Sequence, residues 1–129
     1  MKKLLFLLGL LLCLTACGHE QKKSAVYENI TAEEAKRIMD TAENYVILDV
    51  RTQEEYDQGH IPGAVVIAHT EIEAKAESLL KDKDQLLLVY CRSGRRSKLA
   101  AESLVQLGYT NIREFGGILD WPYALEGLS

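Results

Sequence analysis

Apolar positions along this chain switch between unbroken runs and helical spacing, and the switches divide it into alternating elements. Tyr45-Val46-Ile47-Leu48-Asp49-Val50 and Gln85 to Tyr90, with Leu86, Leu87, Leu88 and Val89 in succession, offer almost no polar face. Such runs predict strands covered on both sides. Ala64 to Ile67 and Asn111 to Phe115 add two shorter β-prone stretches. Between these runs the period becomes helical. Thr31-Ala32-Glu33-Glu34 reads as a capping box opening a helix whose apolar face is Ala35, Ile38, Met39 and Ala42. Thr52-Gln53-Glu54-Glu55 opens a short helix that Gly59 stops, and Thr70-Glu71-Ile72-Glu73 opens a third bearing Ile72, Ala76, Leu79 and Leu80. A fourth carries Leu99, Ala100, Leu104 and Leu107 and ends at Gly108. Strands alternating with helices predict an α/β fold, a parallel sheet with helices on both faces, with ligands bound beyond the carboxyl ends of the strands.

The chain opens differently. Lys2 and Lys3, an apolar run from Leu4 to Leu14 and the small residues Thr15 and Ala16 have the form of an export signal. The run is too short and wrongly flanked for a spanning helix. Its end, Leu14-Thr15-Ala16-Cys17, resembles the bacterial lipobox, in which the cysteine is acylated and becomes the new N-terminus. This divides the chain into a leader (1–16), a lipidated Cys17 with a polar tether (17–26) and one domain (27–129). The expected location is the bacterial cell envelope, with the domain outside the cytoplasm and held to the membrane by its N-terminal lipid. The competing readings, an uncleaved anchor or an ordinary secretory signal, also place the domain outside the cytoplasm.

With 129 residues, 47% of them hydrophobic and 26% charged, the chain has the balance of one ordinary globular domain. The formal charge is −4, and loss of Lys2 and Lys3 with the leader takes it to −6. A basic nucleic-acid footprint is absent, so no nucleic-acid partner is expected. No His/Cys/Asp cluster has metal-ligand spacing, and no Gly-rich nucleotide loop appears. Cys13 leaves with the leader and Cys17 is committed to lipid, so Cys91 becomes the single free thiol, without a disulfide partner.

Cys91 opens the segment Cys91-Arg92-Ser93-Gly94-Arg95-Arg96-Ser97, which joins the second long strand to the fourth helix. Backbone N–H groups converging at a helix start, with three arginines close by, favour a thiolate and attract an anion. Cys91 is therefore the candidate nucleophile, and Arg92, Ser93, Gly94, Arg95 and Arg96 the candidate substrate-binding loop. The alternative for each arginine is a solvated surface charge.

These residues resemble the single-domain rhodanese family of sulfurtransferases. The resemblance rests on four blocks: Asp49-Val50-Arg51; Glu55-Tyr56 with Gly59-His60-Ile61-Pro62-Gly63-Ala64; the Cys91 to Ser97 loop; and Gly116-Gly117-Ile118 with Trp121. It implies a rhodanese-like sheet and transfer of sulfane sulfur from thiosulfate or a related donor, through a Cys91 persulfide, to a thiophilic acceptor. It implies no cofactor. The implied partners are a small anionic donor, a thiophilic acceptor and, in one version, a thiol-carrier protein. Asp49 belongs by resemblance to the active-site neighbourhood, with Arg51 in support. Arg51 and Glu55 also suggest a structural ion pair, and His60 is expected to fix a turn.

Two other functions compete. A non-catalytic binding or persulfide-carrier module would use the same fold. A cysteine phosphatase or arsenate reductase would use the same cradle, but that loop needs an arginine at position 97, where this chain has Ser97 and places Arg96 one residue short.

Overall fold

A computed structural model describes residues 26–128 of the chain. The leader, Cys17 and nearly all of the tether lie outside the described residues. Five parallel strands form one sheet: β1 (Glu28–Asn29), β2 (Tyr45–Asp49), β3 (Val65–Val66), β4 (Leu86–Cys91) and β5 (Ile112–Gly117), in the order β1-β5-β4-β2-β3. Four helices connect them: α1 (Ala32–Thr41), α2 (Gln53–Asp57), α3 (Ile72–Leu79) and α4 (Arg95–Gln106). The alternation expected from the sequence is thus present, and the two longest apolar runs are the central strands.

Period-two geometry sends alternate side chains of β4 into two separate cores. Leu87, Val89 and Cys91 join Ile72 and Ala76 of α3 and Ala100, Ala101 and Leu104 of α4 on one side. Leu88 and Tyr90 join Ala35 of α1, Ile61, Phe115 and Trp121 on the other. Leu87, Leu88 and Leu104 are fully buried, each contributing roughly 1.5–3 kcal/mol of transfer free energy. Covering both faces of β4 holds its end, and therefore Cys91, in a fixed place.

Several local expectations are corrected. Strand β1 was not foreseen, since Glu28-Asn29 has no apolar signal; it forms by pairing its backbone with Arg113 and Glu114 of β5. The Ala64 to Ile67 stretch narrows to Val65–Val66. Thr70 does not cap α3, because a 3-10 turn over His69–Glu71 leads into it instead. The buried face of α3 is set by Ile72 and Ala76, with Leu80 beyond, and Leu79 is exposed. In α4 the buried face is Ser97, Ala100, Ala101 and Leu104, leaving Leu99 exposed. A polar residue heads that stripe, which is why the apolar pattern pointed slightly off axis.

The α2 cap forms as its sequence dictates, whereas α1 keeps only half of its expected box, with no return bond from Glu34 to the Thr31 N–H. Thr31 accepts from the Glu34 N–H at 3.1 Å, and Thr52 with Glu55 makes the full reciprocal box. Gly108 adopts φ +94° just past α4, where the Tyr109 N–H closes onto the Leu104 carbonyl at 3.0 Å. That is the glycine stop expected for the helix.

Candidate active site

Three strand ends meet at the carboxyl edge of the sheet: Asp49 of β2, Cys91 of β4 and Gly117 of β5. The loop after Cys91 turns directly into α4. Gly94 occupies the cap position with φ +104°, and no side chain caps the helix. The Cys91 sulfur fills that role, accepting from the Gly94 N–H at 3.0 Å. An uncapped helix start leaves N–H groups in want of an acceptor, so the thiol satisfies the helix while the helix favours its thiolate.

Cys91 is 1% exposed. Burial alone pushes its pKa up; the Ser97 hydroxyl and the N–H groups of Ser97, Gly94 and Ser93 more than offset it, and the thiol ends below its ordinary value. Water does not screen donors in so closed a place. The leading contributions that lower it are hydrogen bonds from the loop backbone and one serine, in line with the converging N–H groups expected at this helix start.

The three arginines do different things. Arg96 is clamped by Glu55 of α2, with Nη1 to Oε1 at 2.7 Å and Nη2 to Oε2 at 2.9 Å. Arg92 and Arg95 are exposed, and among the described residues neither forms an ion pair. Arg92 lies on a cleft of about 300 Å³ shared with Arg51, Glu55, Gly59, Ile118 and Leu119. Ser93 is exposed and offers its backbone N–H to the thiol.

The suggested Arg51–Glu55 pair does not form. Arg51 instead grips Asp49, Nη2 to Oδ2 at 2.7 Å and Nε to Oδ1 at 3.0 Å, and donates to the Gly59 carbonyl at 2.8 Å. Tyr90 completes this buried group, donating to Asp49 Oδ2 at 2.7 Å and accepting from the Ile61 N–H at 3.1 Å. Burial and then the Asp49 charge push the Tyr90 hydroxyl well above the ordinary tyrosine range. Asp49 and Arg51 thus tie the end of β2 to the segment around Gly59 and Ile61, beside the loop; their hydrogen bonds run to that segment and to Tyr90. His60 fastens a turn as expected: its ring stacks on Tyr56 at 3.7 Å, Nδ1 lies 2.9 Å from the Tyr56 carbonyl, and Nε2 lies 3.1 Å from Glu126.

Glu55 serves two masters, the capping box of α2 and the guanidinium of Arg96. The Arg96 hydrogen bond dominates, opposed by burial and helped by Thr52, and the Glu55 carboxyl is lowered to about 2. Since this value lies below its unfolded one, the clamp's stabilisation is complete above about pH 4.5 and is lost as pH falls through about 2. Acid unfolding should therefore be less steep across that window for Glu55→Gln than for the parent. Equal steepness would mean that the clamp adds nothing.

Sequence reasoning missed Glu114 and Ser97. Ser97 is fully buried behind Cys91, with Oγ 3.3 Å from Sγ, and Glu114 is 2% exposed. The signal was the two-residue period of β5, which places Glu114 on the same face as the buried Ile112.

Comparisons with known proteins agree with this arrangement. The Rhodanese-like domain family model matches residues 31–123. The thiosulfate sulfurtransferase PspE of Escherichia coli K12 is 38% identical over 73 residues, 57% of this chain and 70% of that protein. A sulfurtransferase of Allochromatium vinosum is 38% identical over 88 residues, 67% of this chain and 79% of its own. YrkF of Bacillus subtilis, whose name is that of a sulfur carrier protein, is 36% identical over 104 residues, 80% of this chain, which spans only 55% of YrkF. Among solved structures, the Alr3790 protein of Anabaena sp. superposes with a TM-score of 0.71 at 28% identity, covering 77% of this chain and 92% of that one. A family match over most of the chain, on a sheet that sets Cys91 at the start of its own helix, has one consequence: the chain belongs to the rhodanese-like domain family, with sulfurtransferases among its relatives.

Proposed function

We propose that this protein transfers sulfane sulfur through a persulfide on Cys91, taking it from thiosulfate or a related anionic donor and passing it to a thiophilic acceptor. The observation that carries this reading is the buried Cys91 sulfur accepting the Gly94 N–H at 3.0 Å, with its pKa held down by the loop. In the first step the thiolate attacks the outer sulfur of the donor. A new Sγ–S bond forms, the S–S bond of thiosulfate breaks, and sulfite leaves with the bonding pair. The acceptor, cyanide in an assay, then attacks the terminal sulfur, and the Sγ–S bond breaks to return the thiolate. N–H groups aimed into the loop suit the negative charge on that terminal sulfur. Exposed Arg92 and Arg95 give the mouth of the site a positive face for an anionic donor.

The name of YrkF favours a second reading, a sulfur carrier that hands its persulfide to a protein partner. A phosphatase is disfavoured by Ser97, which stands where that chemistry needs arginine. Intact mass distinguishes the outcomes: thiosulfate should add one sulfur atom at Cys91, and cyanide should remove it. Sulfur that is taken up but leaves only to a protein thiol would support the carrier. A Cys91 left unmodified by every sulfane donor would end both.

The proposal extends to the cell envelope, with Cys17 carrying lipid. Its support is the Leu14-Thr15-Ala16-Cys17 tetrapeptide behind Lys2, Lys3 and an apolar run, residues outside those described by the structure. More than one acyl chain is needed for stable anchoring, so the mature protein should fractionate with membranes. Metabolic labelling with a fatty acid should mark the parent and not Cys17→Ser. Equal labelling of both would exclude this anchor.

A further inference from the structure

The last described residues turn back over the site. Glu126 forms an antiparallel bridge with His60: its N–H donates to the His60 carbonyl at 2.9 Å, and its carbonyl accepts from the His60 N–H at 3.0 Å. Its carboxylate also accepts from the Gly63 N–H at 2.9 Å. Packing beside the bridge is close. A Cβ at Gly59 would stand 2.7 Å from Leu128 Cδ2, and one at Gly127 would stand 3.0 Å from His60 Cε1. Residues 124–128 therefore form a strap laid on the Gly59–His60 segment, past residue 123, where the family match ends.

This strap gives a wall to the cleft of about 300 Å³ that carries Arg92. Leu125 and Leu128 line it together with Ile118 and Leu119. Ile118 and Leu125 are partly buried on the core of Phe115 and Trp121, whereas Leu119 is 63% and Leu128 67% exposed. All four line one cavity, unlike apolar residues scattered singly over a surface.

The cleft adjoins the nucleophile. Arg92 follows Cys91, Ile118 follows Gly117, the residue that pairs with Cys91, and the Leu119 N–H donates to the Arg92 carbonyl at 3.2 Å. Its charges are matched with one exception. Asp49 takes the Arg51 guanidinium and Arg96 takes the Glu55 carboxylate. Among the described residues Arg92 has no ion-pair partner. The cleft thus offers one uncompensated positive charge beside an aliphatic wall. Thiosulfate, small and wholly polar, would meet the charge and leave the wall in water.

We propose that the strap makes this cleft a subsite for an organic sulfane donor: a terminal sulfane sulfur, an anionic head for Arg92 and an apolar body against Leu119, Leu125 and Leu128. This rests on the sulfur transfer proposed above. With a thiosulfonate, R–SO2–S⁻, the Cys91 thiolate attacks the outer sulfur; the Sγ–S bond forms, the S–S bond breaks, and the sulfinate leaves with the bonding pair. The body R is the part the strap selects.

Two donors of equal charge isolate the wall. Benzenethiosulfonate and methanethiosulfonate are each used to load sulfur onto Cys91 of the full-length protein, and the second-order rates are read by intact mass. Dividing their ratio by the same ratio for free cysteine removes intrinsic reactivity. The parent should favour the phenyl donor about tenfold beyond that baseline, the scale of burying one or two methylene groups. Leu128→Ser should lower the ratio, and Leu119→Ser combined with it should return the ratio to the baseline. Each ratio is taken within one protein, so a general loss of activity or folding cancels. A parent at the baseline, or a Leu128→Ser variant with the parent's ratio, would overturn the proposal. Benzenesulfonate has the ring and the charge but no sulfur to give, and its affinity is read by NMR titration. Arg92→Gln and the double serine variant should each weaken it severalfold, and an affinity equal to the parent's in either would also overturn the proposal. If neither donor loads Cys91, the sulfur-transfer reading fails by itself, and the benzenesulfonate titration still decides the cleft.

Discussion

Cys91→Ser should leave a folded protein that has lost thiosulfate:cyanide turnover by at least about a thousandfold, the scale of losing a nucleophile. Serine is nearly isosteric, and its hydroxyl would find the partners that cysteine now has, accepting from the Gly94 N–H and donating to Ser97 Oγ. The cost in stability should stay near 1 kcal/mol, since the buried oxygen remains hydrogen-bonded. The loss of turnover has a different cause: a serine hydroxyl does not ionise near neutral pH, and oxygen has little affinity for a sulfane sulfur. Steady-state rates and thermal unfolding of the two proteins check both halves. Turnover retained by the serine variant would remove Cys91 from the reaction altogether.

Gly117→Ala should be nearly as damaging, for a steric reason. A Cβ at Gly117 would stand 2.1 Å from the Arg92 carbonyl oxygen, 2.5 Å from its carbon and 2.6 Å from Ser93 Cα. All three are backbone atoms, so no side chain can swing away. The loop itself must move, and with it the Gly94 N–H that meets the sulfur. The Arg92 carbonyl also accepts from the Leu119 N–H at 3.2 Å, a contact that would be strained by the same shift. Overpacking of this kind costs about 1–3 kcal/mol, and a 1 Å misplacement of reacting groups costs roughly a hundredfold in rate. Gly108→Ala is the control. Its φ of +94° makes alanine strained, but nothing lies within 4 Å of the added carbon, and the site is at the far end of α4. It should lower the melting temperature and spare the turnover. If both variants lose activity in proportion to stability, close packing of the loop on β5 is not what shapes the site.

Local pattern was enough to place most of the sheet and its helices. The two long apolar runs are β2 and β4, the Thr52–Glu55 box caps α2, and Gly108 ends α4. The position of Cys91 at the end of β4 and the start of α4 follows from the same reading, because a buried strand, a glycine turn and a helical stripe are consecutive in the chain. What failed locally did so for identifiable reasons. Glu28-Asn29 is a strand only because β5 offers it an edge, and Leu79 and Leu99 lie off the buried faces of helices whose alignment is set by neighbouring strands.

The division between sequence and tertiary structure falls at the reach of a side chain along its own element. Helix caps, strand alternation and the Cys91 loop involve residues within a few positions of one another, where backbone geometry fixes the distance, so the sequence by itself determined the α/β order and the place of Cys91 between a strand end and a helix start. Pairing across elements was beyond it. Arg51 turned to Asp49 and left Glu55 to Arg96, 41 positions away, and Ser97 met Glu114, 17 positions on. Charge and spacing allow several such partners. Only the sheet order β5-β4-β2 and the bulge in β5 bring one of each set within hydrogen-bond distance, because burial excludes the water that would otherwise satisfy the rest.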